Sequence, residues 1–160
     1  SYTSTSGPLF FVTNATGVIE LTDVEVANAS DVLIEAAATD RWGTSGANGG
    51  AAVLTASGET LVGDVIADEI SSAEVDLVDG STLTGTLSNA GISLDTDSTW
   101  VVTGDSTVTT LIDLDGLSDG SVGNIVGNGF TVTYDAALEA NAALEGATWT
   151  LEGGGTLTPA

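Results

Sequence analysis

Carboxylates are nearly the only side chains in this 160-residue chain that could carry acid–base or metal chemistry. The chain holds 23 Asp and Glu residues against one basic residue, Arg41, and it has no His, Cys, Met, Lys or Gln. Ser and Thr are abundant, but a Ser or Thr nucleophile needs a neighbouring base such as His or Lys. Disulfides and thiolate metal sites need cysteine. The sequence therefore predicts a protein that is not an enzyme and is stabilised by packing and hydrogen bonds alone.

Two pairs of aspartates are spaced so that both carboxylates could lie on one face of a strand. They are Asp95 with Asp97 and Asp113 with Asp115, each pair separated by one residue. A carboxylate pair is sufficient for glycoside hydrolysis. Aspartates at strand ends also accept hydrogen bonds from the backbone of the following turn. We favour this structural interpretation, and carbohydrate-active chemistry is the alternative.

A segment of seven residues brings together three carboxylates, those of Asp113, Asp115 and Asp119, around Gly116. Carboxylate oxygens in such a turn are suitable ligands for Ca²⁺. The spacing differs from that of an EF-hand, which has glycine at its sixth position and glutamate at its twelfth, because glycine is fourth here. We therefore expect no cofactor, and calcium held by these aspartates is the alternative that the segment leaves open.

Thr-x-Thr pairs recur in the second half of the chain, 25, 24 and 25 residues apart. The pairs are Thr82 and Thr84, Thr107 and Thr109, Thr131 and Thr133, and Thr156 and Thr158. On strands, both threonines of a pair would point outward and the Leu or Val between them would point into a core. Stacked pairs would form an uncharged array of methyl and hydroxyl groups, which is typical of ice-binding solenoids. The other interpretation is structural, since threonine is a good strand residue.

Trp42 and Arg41 stand in a segment, 41–50, that is too rich in glycine for a strand and too long for a tight turn. Binding residues are often carried by exposed loops on a rigid scaffold. We predict that Trp42 and Arg41 are exposed and are candidates for contact with a ligand such as a sugar. The other aromatic candidates for a sugar platform are Trp100, Trp149, Tyr134 and Phe130.

The elements that must position these residues are short strands. Apolar and polar residues alternate in runs such as Val75–Asp76–Leu77 and Ile92–Ser93–Leu94, and Gly or Asx-Gly turns recur between the runs. The hydrophobic content of 42% is enough for one domain with a core. Only the Ala-rich segment 135–146 resembles a helix, and an Ala-rich coil is the alternative. The pattern predicts an all-β domain.

Internal similarity favours a solenoid over a sandwich. The segment 79–85 resembles 97–104, with Ser81 matching Ser98 at a spacing of 17 residues, whereas the Thr-x-Thr pairs give about 25. Both spacings cannot be the coil length, so one could relate successive coils and the other different strands within coils. A period of 17 to 25 residues predicts a parallel β-helix with about three short strands per coil. We place the β-helix at 8–160, after a linker or N-terminal extension at 1–7, and expect a fragment of a longer extracellular protein.

The formal charge of −22 restricts the partners. Nucleic acid is excluded because its binding requires clustered Lys and Arg, and anionic membranes and polyanions would be repelled. The longest apolar stretches are too short for a membrane span, so we expect no membrane insertion. Acidic side chains also keep a β-rich surface soluble and block association of strand edges.

Three segments, 97–111, 124–135 and 151–159, resemble bacterial surface proteins with right-handed parallel β-helix repeats, which are adhesin-like or of the passenger type. The resemblance covers roughly residues 7–160, and its motifs specify strands and turns. It implies a right-handed β-helix at the cell surface that serves adhesion, display or spacing. The partners it implies are a host surface, glycans or neighbouring β-helical modules, and open coil ends could also associate head to tail. The scarcity of basic residues departs from the usual composition of these proteins.

Overall fold

The computed structural model describes residues 1–28, 30–113 and 115–160. Within these ranges the protein is all-β, as predicted, and most of its strands are parallel. The strands in chain order are β1 (Tyr2–Thr3), β2 (Phe10–Val12), β3 (Thr16–Thr22), β4 (Val26–Ala27), β5 (Val32–Ala36), β6 (Ala51–Ser57), β7 (Thr60–Val62), β8 (Asp64–Ala67), β9 (Ser72–Val78), β10 (Thr82–Gly85), β11 (Leu87–Leu94), β12 (Thr99–Val102), β13 (Ser106–Ile112), β14 (Leu117–Ser118), β15 (Ser121–Val126), β16 (Thr131–Tyr134), β17 (Trp149–Glu152) and β18 (Thr156–Pro159). No helix in these ranges is long and apolar enough to cross a membrane.

The parallel strands form three ladders, which the chain visits in turn. Ladder I contains β7, β10, β12, β15 and β17. Strands β1 and β4 precede these strands in the chain and pair with each other in a separate two-stranded sheet. Ladder II contains β2, β5, β8, β16, β18 and the first halves of β11 and β13. Ladder III contains β3, β6, β9 and the second halves of β11 and β13. Because β11 and β13 shift register midway, each of them supplies a strand to two ladders.

The distance along the chain between stacked strands varies with the length of the turns. Thr82 lies beside Thr99, an offset of 17 residues, and Thr131 lies beside Thr156, an offset of 25. Thr16 lies beside Ala51, an offset of 35, because the segment containing Trp42 is inserted between β5 and β6. Both predicted spacings are therefore real, and the expectation that only one could relate stacked strands was wrong.

The core lies between the ladders and is built from the inward residues of each strand. Alternation along the strands is nearly strict: in β6, β9 and β12 every second residue is buried. The residues between the predicted threonine pairs, Leu83, Val108, Val132 and Leu157, are all buried, as expected. Most of the core is aliphatic, and Trp100 and Tyr134 are its largest fully buried side chains.

Residues 1–7, expected to be a linker or N-terminal extension, contain the short strand β1, and the Tyr2 ring lies 6.1 Å from the Phe10 ring. In the predicted helix at 135–146, only Glu139–Leu144 is helical, and it forms a short 3₁₀ helix. Its Asn141 side chain accepts a hydrogen bond from the Leu111 N–H at 2.8 Å and donates one to the Thr109 carbonyl at 2.7 Å, so it takes the place of a further strand on ladder III.

Candidate binding face

On β7, β10, β12 and β15 the outward side of ladder I carries two rows of uncharged residues. In the first row Thr60, Thr82 and Thr99 lie side by side on β7, β10 and β12. The second row continues onto β15 with Val62, Thr84, Val101 and Val126, and it ends on β17, where the exposed Glu152 lies beside Val126. We call the seven uncharged residues the neutral face. They are half-buried or exposed, and Val62 is 60% exposed.

A fully packed layer supports the neutral face from behind. Leu61, Leu83 and Trp100 alternate with its residues and have no exposed surface. The indole Nε1 of Trp100 donates a hydrogen bond to the Gly85 carbonyl at 3.0 Å, so the one polar atom of this large side chain is satisfied inside the core. A close-packed interior resists deformation. The face is therefore a rigid surface.

Stacked serines hold the corner where the chain enters ladder I. Ser81 and Ser98 are buried, and the Ser81 N–H donates to the Ser98 Oγ at 3.1 Å. The Ser81 Oγ accepts from the Glu59 N–H at 3.0 Å and donates to the Val78 carbonyl at 2.7 Å. These bonds connect three successive passes of the chain and fix the register of β7, β10 and β12. The predicted match of Ser81 to Ser98 is confirmed.

Asp95 stabilises the same corner through its carboxylate. The carboxylate accepts backbone hydrogen bonds from Asp79 at 2.7 Å and from Ser98 at 2.9 Å. A hydrogen bond from the Ser98 side chain, together with these backbone bonds, lowers the pKa of Asp95 against the opposing effect of burial. Asp97 is exposed and donates its own N–H to Asp95 at 3.3 Å. Asp95 therefore has the structural role that we favoured for this pair.

Ladder III has an acidic outward side. Glu20, Thr55 and Asp76 lie in one row, and Val18, Val53 and Glu74 lie in the next. Glu74 accepts a hydrogen bond from the Thr110 hydroxyl at 2.8 Å, across Gly91 of the intervening strand. A side chain at Gly91 would overlap both groups. The excess of acid residues is thus unevenly distributed over the ladders.

The threonines predicted to stack in one array are divided between two ladders. Thr82 and Thr84 belong to the neutral face, whereas Thr107, Thr133 and Thr158 form a row on ladder II with Ser88. Thr131 and Thr156 also lie side by side, two residues before Thr133 and Thr158 on the same two strands. The register between β13 and β16 places Thr107, and not Thr109, beside Thr133. The prediction that all four threonine pairs form a single stack is therefore wrong.

The three aspartates proposed to hold calcium differ in their exposure. Asp113 is buried, whereas Asp115 and Asp119 are exposed. The Asp113 Oδ1 accepts the Gly116 N–H at 3.0 Å, and its Oδ2 has no hydrogen-bond partner within the described ranges. Burial raises the pKa of Asp113, and the charge of Asp115 adds to the increase against the hydrogen bond from Gly116. No group of three possible metal ligands occurs among the residues that the structure describes.

Trp42 and Arg41 are exposed, as predicted, and Trp42 is 63% exposed. The Asn48 side chain donates to the Thr39 and Trp42 carbonyls, at 2.7 and 2.9 Å, and so fixes the base of their loop. Trp100 and Tyr134 are fully buried, and Trp149 and Phe130 pack partly against the core. The five aromatic residues therefore do not form one platform.

A groove of about 570 Å³ between ladder I and β4 is lined by Thr60, Val62 and Thr84 of the neutral face and by the carboxylates of Asp31 and Asp64. The Asn28 side chain bridges it, since its Nδ2 donates to the Val62 carbonyl at 2.6 Å. One of the carboxylates that line the groove, Asp64, already accepts the Thr86 N–H at 2.7 Å. The groove thus limits the extent of the neutral face toward β4.

The sequence predicted Thr82 and Thr84 as surface residues but missed Thr60, Thr99 and the valines beside them. The signal was available, because matching Ser81 to Ser98 also places Thr82 beside Thr99. Thr60–Leu61–Val62 departs from the Thr-x-Thr pattern, yet its valine is equally uncharged. No protein-family model, curated protein or solved structure matches this chain.

Proposed function

We propose that this chain is a non-catalytic, extracellular β-helical module that adheres to other surfaces through its neutral face. In this proposal the three ladders are the sides of a right-handed parallel β-helix, with about three short strands per coil, as in the bacterial surface proteins that the sequence resembles. The order of the ladders supports a helical path, and parallel strands are joined with a right-handed crossover in nearly all sheets. Adhesion, display and spacing are the roles that such a module would serve.

The observation that carries the adhesive function is the neutral face on a chain with a charge of −22. Its seven positions carry no charge, although the corresponding side of ladder III carries Glu20, Glu74 and Asp76. Charged groups lose hydration when a surface is covered, and binding patches are depleted of them. Methyl and hydroxyl groups on a rigid support suit an uncharged, hydroxyl-rich partner such as a neutral glycan.

Retention on neutral glycan arrays and on insoluble polysaccharides tests this proposal. The variant Thr84→Glu places a charge in the middle of the face, and Thr107→Glu is the matched control because Thr107 is exposed between Ser88 and Thr133 on ladder II. We expect the parent and Thr107→Glu to be retained and Thr84→Glu to lose at least tenfold in affinity. Equal retention of both variants would refute the neutral face as the contact, and a parent that binds no surface would refute adhesion.

Ice binding is a second candidate, because the neutral face presents its groups on a regular two-row grid. Neighbouring strands are about 4.8 Å apart, and alternate residues along a strand are about 6.6 Å apart. Oxygen atoms in the lattice planes of ice repeat at distances of the same order, so ordered water on this grid could join an ice surface. The face on ladder I, and not the predicted stack of four threonine pairs, carries this candidate function.

Thermal hysteresis and ice-crystal shape, measured by nanolitre osmometry, distinguish the two candidates. We expect faceted crystals with the parent and with Thr107→Tyr, and round crystals with Thr84→Tyr, if ice is the ligand. Loss with Thr107→Tyr alone would move the ice-binding surface to ladder II. Unshaped crystals with the parent would eliminate ice binding and leave adhesion to glycans.

A further inference from the structure

The loop between β5 and β6 is fixed at both ends by the turn between β8 and β9, which lies beside it in the stack. At the start of the loop the Ala38 N–H donates to the Asp68 Oδ2 at 2.7 Å. At its end the Gly50 N–H donates to the Ser71 Oγ at 3.0 Å. These bonds hold the long insertion in one place although it belongs to neither strand.

The middle of this loop is also closely packed, against the turn that precedes β3. The Asn14 N–H donates to the Asn48 carbonyl at 3.2 Å. Gly43 has a φ of +78°, and a Cβ at this position would overlap the side chains of Asn14 and Asn48. Glycine adopts this backbone conformation without strain and leaves room for both neighbours. The loop therefore holds Trp42 in a fixed position while leaving it 63% exposed.

A cavity of about 360 Å³ lies between the loop and Ile70 of the turn between β8 and β9. The polar residues of its lining include Asp40, Ser45 and Asn48. We call this cavity the loop cavity. Its volume lies within the range of small-molecule sites, which is about 300–1,000 Å³. Strands of the described chain stack on both sides of the loop, so the walls of the cavity are complete.

Asn48 offers the loop cavity an acceptor that the fold does not use. Its side chain is only 4% exposed, and its Nδ2 donates to the Thr39 and Trp42 carbonyls, so both amide protons are engaged. Its Oδ1 accepts no hydrogen bond from the part of the chain that the structure describes. Buried polar atoms in folded proteins normally have a partner. The exposed carboxylate of Asp40 is a second acceptor on the same cavity.

We propose that the loop cavity binds one saccharide unit. Hydroxyl groups of the sugar donate to the Asn48 Oδ1 and to the Asp40 carboxylate, and the Ser45 hydroxyl donates or accepts. The apolar side of the sugar ring packs against Ile70, which is 46% exposed, and against Trp42 at the rim. The cavity lies at the turn between ladders II and III, so this binding site is separate from the neutral face on ladder I.

The charges around the loop cavity favour an uncharged sugar. The formal charge of −22 repels anionic saccharides. Arg41, the one basic residue of the chain, stands beside Trp42 and supplies hydrogen-bond donors at the rim. Asp40 is the one carboxylate among the described residues that line the cavity, whereas Ca²⁺ takes six to eight oxygen ligands. The lining therefore suits hydroxyl groups better than a metal ion.

Titration with the methyl glycosides of glucose, galactose, mannose and N-acetylglucosamine, followed by heteronuclear NMR, tests the proposal. The three tryptophan indole N–H signals report on different places: Trp42 on the loop, Trp100 behind the neutral face, and Trp149, which is bonded to the Leu144 carbonyl. At least one glycoside should shift the signals of the Trp42 indole and the Asn48 side-chain amide, with a dissociation constant in the millimolar range. The Trp100 and Trp149 signals should stay in place.

Two variants test the contacts without disturbing the loop. Asp40→Ala and Trp42→Ala each remove an exposed side chain, and each should weaken binding about tenfold or more, read at the Asn48 amide. Asp97→Ala is the matched control, because Asp97 is an exposed aspartate at another turn, and it should bind like the parent. Circular dichroism checks that all three variants fold like the parent.

Three results would overturn the loop cavity as a sugar site. They are the absence of a Trp42 shift with all four glycosides, equal affinities of the parent and both loop variants, and a glycoside that shifts the Trp100 signal alone. The last result would instead support the neutral face. The two proposals can fail separately, because the titration is read at the loop and adhesion is read from retention on insoluble polysaccharides with Thr84→Glu.

Discussion

Ladders I and III are built alike on the inside and differently on the outside. Both have parallel strands in which every second residue is buried, as β12 and β9 show. Outside, ladder I presents threonine and valine on β7, β10, β12 and β15, with Glu152 beside them on β17, whereas ladder III presents Glu20, Glu74 and Asp76 among its residues. Inward positions must fill the core, but outward positions have no such requirement. The scaffold can therefore carry one binding surface and one solubilising surface without a change of fold.

Removing the packing behind the neutral face should have the largest effect on stability. Trp100 is fully buried behind ladder I, so Trp100→Ala should lower the free energy of unfolding by about 3–5 kcal/mol. Trp42→Ala is the control, because Trp42 is 63% exposed, and it should change stability by less than about 0.5 kcal/mol. Urea unfolding followed by circular dichroism measures both. A large loss with Trp42→Ala would show that its loop packs against the core.

Removing the Asp95 carboxylate, which holds the turn between β11 and β12, should have the next largest effect on stability. Asp95→Ala removes two short backbone hydrogen bonds and should cost about 1–2 kcal/mol at neutral pH. Because the pKa of Asp95 is lower in the folded protein than in the unfolded chain, this contribution is present at neutral pH. It is lost as the pH falls through the folded pKa. Parent and variant should therefore converge in acid, and Asp97→Ala should resemble the parent throughout.

Gly91→Ala would alter only the acidic side of ladder III. The added methyl group would separate Glu74 from the Thr110 hydroxyl, and losing that hydrogen bond should cost about 1 kcal/mol. The Glu74 side chain can rotate toward solvent, which limits the loss. Thr110→Val should cost a similar amount, and the double variant should cost no more than either single one. Additive losses in thermal unfolding would show that Gly91 acts through something other than this bond.

The smallest expected effect is a gain in stability at the end of ladder III. Because the pKa of Asp113 is raised in the folded protein, folding favours its protonated form, and stability falls as the pH rises through the folded pKa. Asp113→Asn keeps the acceptor for the Gly116 N–H and removes the charge, so it should stabilise by less than about 1 kcal/mol at pH 7. The gain should vanish in acid. Asp119→Asn, at an exposed position, should give no gain at either pH.

Much of the fold could be predicted because strand alternation is a local property. The burial of Leu83, Val108, Val132 and Leu157 followed from their positions between outward threonines, and the exposure of Trp42 followed from its glycine-rich surroundings. The match of Ser81 to Ser98 predicted one stacked corner. The 3₁₀ helix at Glu139–Leu144 was less predictable, because its place is set by the bonds of Asn141 to β13, some 30 residues earlier in the chain.

Only part of the candidate site could be identified from the sequence. Thr82 and Thr84 were identified, but they were grouped with threonines that lie on ladder II. Asp113, Asp115 and Asp119 are close in sequence, yet the fold buries the first and exposes the other two. Spacing along the chain could not distinguish these cases, because turns of different lengths separate the strands.

The sequence by itself determined that the chain forms short alternating strands, which residues of each strand face the core, and that the surface is strongly acidic. Only the tertiary structure decided which strands lie side by side, and hence that Thr82 lies beside Thr99 while Thr107 lies beside Thr133. The physical reason is that a two-residue period fixes the face of a side chain but not its neighbour. The neighbour depends on turn lengths, bulges and buried corner hydrogen bonds, which join residues far apart in the chain.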